Sequence, residues 1–364
     1  MSDHVREQAL LLACAGSRPS PCSLAKIQSL ADLLDWDYVA AAAETHLVWP
    51  LVLANLQRAG VRLPGALVAR WQELSASTTG DNLALMSQLA RLFDLFDAHG
   101  VPAVTWKGPV LAAIGYGSLS LRSSGDLDVL VPFHRIRDVR ALLLANGYTQ
   151  PAINVWFAPA ARREYQFVPR EAGRCALEAH VFVARWPLAV RLPTDELIAR
   201  GIPVTVAGRC ARTLCHEDML LAMALHGACH AWTRLRFVAD VDACARAAVD
   251  WHVVVGRARS ARMQRILSTA LLLAHDLLGT PVPPAIVEDS RRDRTAVWLR
   301  TYLGRQLNNS AKPRNRDWIG FLSREHAIDQ VRYALRQFFL LQIMSPGDRV
   351  AAFWQHRRFQ RRWL

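Results

Sequence analysis

Residues 122–131 read Arg122-Ser123-Ser124-Gly125-Asp126-Leu127-Asp128-Val129-Leu130-Val131, and Pro132 follows. Apolar residues crowd Leu127–Val131 up to the proline, the mark of a strand buried in a sheet. Asp126 and Asp128 stand at i and i+2. Strand side chains alternate with period two, so both carboxylates project from one face, about 6–7 Å apart at the backbone. At that spacing they can converge on Mg²⁺. Buried like charges must be paired, protonated or metal-bound, so a core strand does not carry two acids without a reason. The plainer alternative makes Asp126 a strand-entry or turn residue and leaves only Asp128 pointing inward.

The sequence on either side favours the first reading. Val101–Trp106 is short, partly β-branched and bounded by glycine and proline, so it reads as a strand. Lys107 and Gly108 follow at once, and a Lys-Gly turn can offer backbone N–H groups and an ammonium to phosphates. Arg122 and Ser123 add further phosphate donors just before the acids. Pro109 lacks an N–H and removes one. Gly117-Ser118, separated from Asp126 by seven residues, is a rival phosphate turn. Val110–Ile114 can form a brief helix, and Arg135–Ala145 a longer one closed by Asn146-Gly147. Glu164–Val168 and Cys175–Val183 are strand-like runs joined by Arg170–Arg174, a hairpin signal with glycine in the loop. Glu178 and His180 share a face of the second run. A third carboxylate on a neighbouring strand makes a two-metal site feasible.

Outside this centre the periodicity is helical. Leu85, Leu89, Leu92 and Phe96 step by 4, 3 and 4 and lay one apolar stripe along a helix, with Gly100 placed as its C-terminal cap. From about Thr213 to Met344 the helical pattern is broken at Gly279–Pro284 and around Asn308–Asn315. The expected organisation is an N-terminal helical region (1–98), a small mixed-sheet core (99–210), a C-terminal helical domain (211–345) and a basic, aromatic tail (346–364). The fold class is α+β.

Composition sets the outer limits. The 364 residues carry 44 Lys+Arg against 31 Asp+Glu, a net charge of +13, with 52% hydrophobic residues. Such a chain is neither disordered nor low-complexity. Only Lys26, Lys107 and Lys312 are lysines, so the positive charge is almost all arginine and a lysine is the more informative cation. The field suits anionic partners: nucleotides, phosphosugars or nucleic acid at the basic surface. No apolar run reaches the ~18 residues that span a bilayer. Seven cysteines without a C-x-x-C pair suggest neither a disulfide framework nor a zinc ribbon. A cytoplasmic location is expected.

Trp106-Lys107-Gly108-Pro109-Val110-Leu111, Tyr116-Gly117 and Leu121–Val131 together resemble the core motif of the uncharacterised nucleotidyltransferase family of the polymerase-beta-like superfamily. The resemblance continues through Leu177-Glu178-Ala179-His180 and the segment from Leu225-His226 to Asp240, covering roughly residues 80–285. It implies a polymerase-beta-like core in which Asp126, Asp128 and Glu178 are catalytic and hold the metal, two Mg²⁺ ions with Mn²⁺ as substitute. Lys107, Gly108, Arg122 and Ser123 would bind the nucleotide. The implied reaction transfers a nucleoside monophosphate from an NTP to an acceptor, either a small molecule, a peptide natural product or a sugar phosphate. A toxin-like enzyme modifying tRNA and a degenerate, non-catalytic nucleotide- or partner-binding module are the alternatives.

His180, His226, His230, Arg234 and Asp240 are candidates for the acceptor pocket. His226 and His230 share a helix face as zinc ligands do, but the segment reads H-G-A-C-H, with Gly227 where a metalloprotease needs glutamate. Arg234, Arg236 and Asp240 fall near one face, as an internal ion-pair network or a pocket lining. The tail Phe353–Leu364 mixes four arginines with four aromatics and could touch RNA, a membrane surface or an acidic partner; packed down as a terminal helix, it would touch none.

Overall fold

In the computed structural model, residues 4–151, 164–171, 175–183, 188, 190–308 and 316–343 are described. Seven strands among them form one mixed sheet: β1 (Val104–Thr105), β2 (Asp126–Leu130), β3 (Tyr148–Thr149), β4 (Glu164–Pro169), β5 (Ala176–His180), β6 (Ile202–Val206) and β7 (Arg209–Thr213). Their order is β3-β4-β5-β2-β1-β7-β6. The central strand β2 runs parallel to β5 and antiparallel to β1, while β1 runs parallel to β7.

The sheet extends beyond the sequence expectation at one edge. β6 and β7 form a hairpin with Val206 opposite Arg209. Its two loop residues, Ala207 and Gly208, both have positive φ (47° and 78°), the backbone of a type I′ turn. Alanine rarely takes that conformation, and Pro203 interrupts the strand pattern, so the hairpin signal is masked in the sequence. The proline is tolerated because β6 is the last strand of the sheet. β1 is shorter than Val101–Trp106, since only Val104 and Thr105 pair with a neighbour.

Four helices precede the long one: α1 (Val5–Cys14), α2 (Pro21–Leu30), α3 (Trp36–Thr45) and α4 (Trp49–Arg58). Serine and aspartate cap two of them, with Ser20 accepting from the Ser23 N–H and Asp35 from that of Tyr38. α5 (Gly65–Ala98) follows, then α6 (Gly108–Ile114), α7 (Ile136–Ala145) and α8 (Thr194–Ala199). The C-terminal part contains α9 (His216–Cys229), α10 (Leu235–Ala245), α11 (Trp251–Ser260), α12 (Gln264–Leu278), α13 (Pro284–Arg292), α14 (Arg294–Asn308), α15 (Arg316–Leu322) and α16 (Ala327–Ile343). The break expected after α12 is present, and Gly279 caps that helix in the left-handed conformation (φ 67°). No helix among the described residues is long and apolar enough to cross a membrane. The basic tail 346–364 lies outside the described residues, as do residues 309–315 and the loop residues 172–174.

The alternation of β2 divides the molecule. Leu127 and Val129 join a core with Leu85, Leu89, Leu92 and Phe96 of α5, so the predicted stripe faces the sheet. Leu130, on the opposite face with Asp126 and Asp128, joins a second and larger core built from both helical regions. The two carboxylates therefore lie on the face that the terminal helices cover.

Candidate active site

The register of three strands assembles the polar cluster. Asp128 stands opposite Glu178, and Glu178 opposite Gln166; one step along, His180 stands opposite Glu164. Period-two alternation sends these side chains to one face, while Tyr165, Phe167, Leu177 and Ala179 go to the apolar core on the other. Glu164 and Gln166 were not picked out by sequence reasoning, although their alternation with Tyr165 and Phe167 was the available signal.

Asp128 is the hub. It is 5% exposed, and its Oδ1 accepts from Lys107 Nζ at 2.8 Å and meets His180 Nε2 at 2.7 Å. His180 has no exposed surface and also lies 3.5 Å from Glu178 Oε2 and, through Nδ1, 3.6 Å from Glu164 Oε2. Gln166 donates to Glu178 Oε1 at 3.0 Å. Trp106 floors this cluster: Lys107 Nζ sits 4.0 Å from the centre of its ring, and His180 meets the same ring edge-on.

The electrostatics follow from crowding. Burial raises the proton affinity of Asp126, and the neighbouring charges of Asp128 and Glu178 add to it, pushing its pKa up to about 7 against the pull of Lys107 and Arg236. Burial acts the same way on Asp128, but Lys107 and His180 outweigh it and hold that carboxyl well below the usual range. His180 is raised: burial and Lys107 disfavour the charged ring, and the carboxylates of Asp128 and Glu178 prevail. One ionised acid beside one that holds its proton to neutral pH is the arrangement of a carboxylate cluster short of positive charge.

The residues fit a hard divalent cation. Ligand atoms of Asp128, Glu178 and His180 all lie within 4.8 Å of one another, and Asp126 shares its face of β2 with Asp128. Carboxylate oxygens are the donors that Mg²⁺ and Mn²⁺ prefer. The hydroxyl of Ser124, buried two residues before Asp126, has no hydrogen-bond partner among the described residues.

The Lys-Gly turn lies against the acids. Gly108 has φ 58°, a left-handed conformation that favours glycine, while a Cβ there would meet the Asp126 carbonyl oxygen only at ordinary contact distance, 3.4 Å. Arg122 is held by partners within the protein. Its Nε and Nη2 bind Asp240 at 2.8 and 3.1 Å, and its Nη1 donates to the Gly108 carbonyl at 3.3 Å. Tyr116 donates to the same Asp240 at 2.7 Å. Asp240 thus makes an internal ion pair, and through it Arg122 clamps the Lys-Gly turn to α10. Burial opposes the charge on Asp240, yet Arg122 holds its pKa low. Ser123 is half-buried beside this pair.

The helical histidines stay outside the carboxylate cluster. His226 lies edge-on to Trp106, with ring centres 6.3 Å apart, and to His230 at 4.6 Å; His230 stacks on Phe237 at 5.0 Å. Arg234 occupies the N-cap position of α10, without a side-chain cap hydrogen bond. These rings form an aromatic wall running from Trp106 to the first turn of α10. From the N-terminal side, Asn82 of α5 donates to the carbonyls of Leu119 and Arg122 at 2.6 and 2.8 Å and so braces the segment leading into Asp126.

No curated protein matches the chain. The family model of an uncharacterised nucleotidyltransferase matches residues 32–279, which takes in the carboxylate cluster, the Lys-Gly turn and α10. With more than half of its length covered by that match, the chain belongs to this family of uncharacterised nucleotidyltransferases.

Proposed function

We propose that the protein is a Mg²⁺-dependent nucleotidyltransferase that moves a nucleoside monophosphate from an NTP to an acceptor, with Asp126, Asp128 and Glu178 holding the metal. The observation that carries this reading is the convergence of Asp128, Glu178 and His180 beside Asp126. Bound there, Mg²⁺ supplies a Lewis acid that screens the triphosphate and lowers the pKa of the acceptor hydroxyl. The acceptor oxygen attacks the α-phosphorus, the bond to the bridging oxygen breaks, and pyrophosphate leaves with the electron pair while the hydroxyl proton passes to solvent.

The protein's own groups prepare this exchange. Lys107, 2.8 Å from Asp128, balances its charge before substrate arrives and lies where it can pass to a phosphate oxygen. His180 fixes the orientation of Asp128 and Glu178 from below. Gly108 lets the substrate approach the β2 end, and Arg122 acts as a positioning residue by holding the Gly108 carbonyl. The acceptor is a small molecule, a peptide or a sugar phosphate; the tRNA alternative differs in where label appears.

The test is incubation of the full chain with α-labelled NTPs, Mg²⁺ and fractionated cell extract. Label in a small molecule or peptide supports the main reading, and label in RNA supports the alternative. Asp128→Asn should reduce transfer roughly 10²–10³-fold, the scale of losing one charge-stabilising group in a reaction centre. Turnover at the wild-type rate in that variant would overturn the assignment.

A further inference from the structure

Arg236 is a cation that forms no ion pair of its own among the described residues. It occupies the first turn of α10, one helical turn before Asp240 and therefore on the same helix face. Asp240 is already committed: Arg122 binds both of its oxygens and Tyr116 binds one. The guanidinium of Arg236 makes no hydrogen bond or salt bridge with any described residue. Burial and the neighbouring charge of Arg122 disfavour its protonated form, lowering its pKa to about 10. Its charge also acts on Asp126 of the carboxylate cluster, each stabilising the ionised form of the other. Two arginines thus share one aspartate next to a cluster suited to a divalent cation, and a half-buried guanidinium with five donors is left over.

Its position is held firmly. The Arg236 N–H donates to the His46 carbonyl at 3.2 Å, and the Leu235 N–H donates to His46 Nδ1 at the same distance. The N-terminal helical region therefore fixes the start of α10, and with it the place of the arginine.

We propose that Arg236 is a polyphosphate-binding residue, through which the C-terminal helical region grips the β- and γ-phosphates of a metal-bound triphosphate. The planar fork of arginine matches phosphate oxygens in bidentate fashion, and the unbalanced charge beside Arg122 is answered by that anion. The inference rests on the nucleotidyl-transfer reading but names a contact that reading does not require.

The experiment uses the full chain and two probes, Mn²⁺ alone and inorganic tripolyphosphate with Mn²⁺, measured by titration calorimetry. Arg236→Gln should weaken tripolyphosphate binding roughly 10–100-fold, the range for a charged hydrogen bond. Binding of Mn²⁺ alone should not weaken, because the carboxylates remain and a repelling charge is gone. A purely structural role would weaken both together. Arg236→Lys, which keeps the charge and loses the fork, should fall between wild type and Arg236→Gln, and it carries the test if the glutamine variant does not fold. Tripolyphosphate affinity within twofold of wild type in these variants overturns the inference, and so does an absence of tripolyphosphate binding in the wild-type chain. NTP turnover, measured separately with Asp128→Asn, decides the nucleotidyl-transfer reading whichever way these titrations fall.

Discussion

An alanine at position 227 would place its Cβ 2.3 Å from the ring of Trp232. Gly227 sits inside α9, where glycine ordinarily costs about 1 kcal/mol relative to alanine. Propensity alone therefore predicts that Gly227→Ala stabilises the protein. The ring reverses the sign, because forcing an extra carbon into a filled core costs about 1–3 kcal/mol and the indole is rigid. The expected outcome is a lower thermal midpoint for Gly227→Ala, seen by calorimetry. The same contact explains the H-G-A-C-H spelling of the segment. The chain turns back after α9, with the Trp232 N–H donating to the Gly227 carbonyl at 2.9 Å, and the indole covers the position where a metalloprotease would carry glutamate.

At the scale of elements, α10 is the joint of the molecule. Asp240 ties it to the sheet core through Arg122, and Asp242 ties it to the N-terminal region by accepting from the Ser17 N–H and hydroxyl at 2.8 and 2.6 Å. Thr280 donates to the other oxygen of Asp242 at 2.6 Å. His46 holds its first turn through an unprotonated Nδ1. Burial lowers the pKa of His46 to about 4, with Arg234 adding to the effect and a hydrogen bond to the Leu307 backbone opposing it. The unfolded chain takes up a proton near pH 6.5, whereas the folded chain resists until about pH 4. The contribution is present above the unfolded value and is lost as pH falls. Linkage makes this about 2 kcal/mol of stability between pH 7 and pH 5. Urea midpoints should fall over that interval in the wild type, and the fall should be smaller by that amount in His46→Asn.

For the whole molecule, the decisive contact is the buried pair between Arg122, in the segment leading into β2, and Asp240 in the C-terminal helical region, 118 residues later. Removing one partner of such a pair leaves an uncompensated buried charge and costs about 3–5 kcal/mol. Asp240→Asn should lower the denaturation midpoint accordingly. It should also weaken substrate binding, because Arg122 would no longer hold the Gly108 carbonyl in place. An unchanged midpoint would show that the core and the helical region are not joined at this point.

The sequence by itself determined what depends on near neighbours. Period two put Asp126 and Asp128 on one face of their strand, and 3.6-residue spacing laid the stripe Leu85–Phe96 along one face of its helix. Lys107 and Gly108 stood out because both are informative locally, one as a rare cation and the other as the residue of a turn. Only the tertiary structure decided which charges meet. Alternation cannot say that Lys107 and His180 both bind Asp128, that Arg122 answers Asp240 rather than facing outward, or that Arg236 forms no ion pair of its own among the described residues. Those choices are made by burial: in a low-dielectric interior each charge takes the nearest partner that packing allows, and packing brings residues together without regard to their distance in the chain.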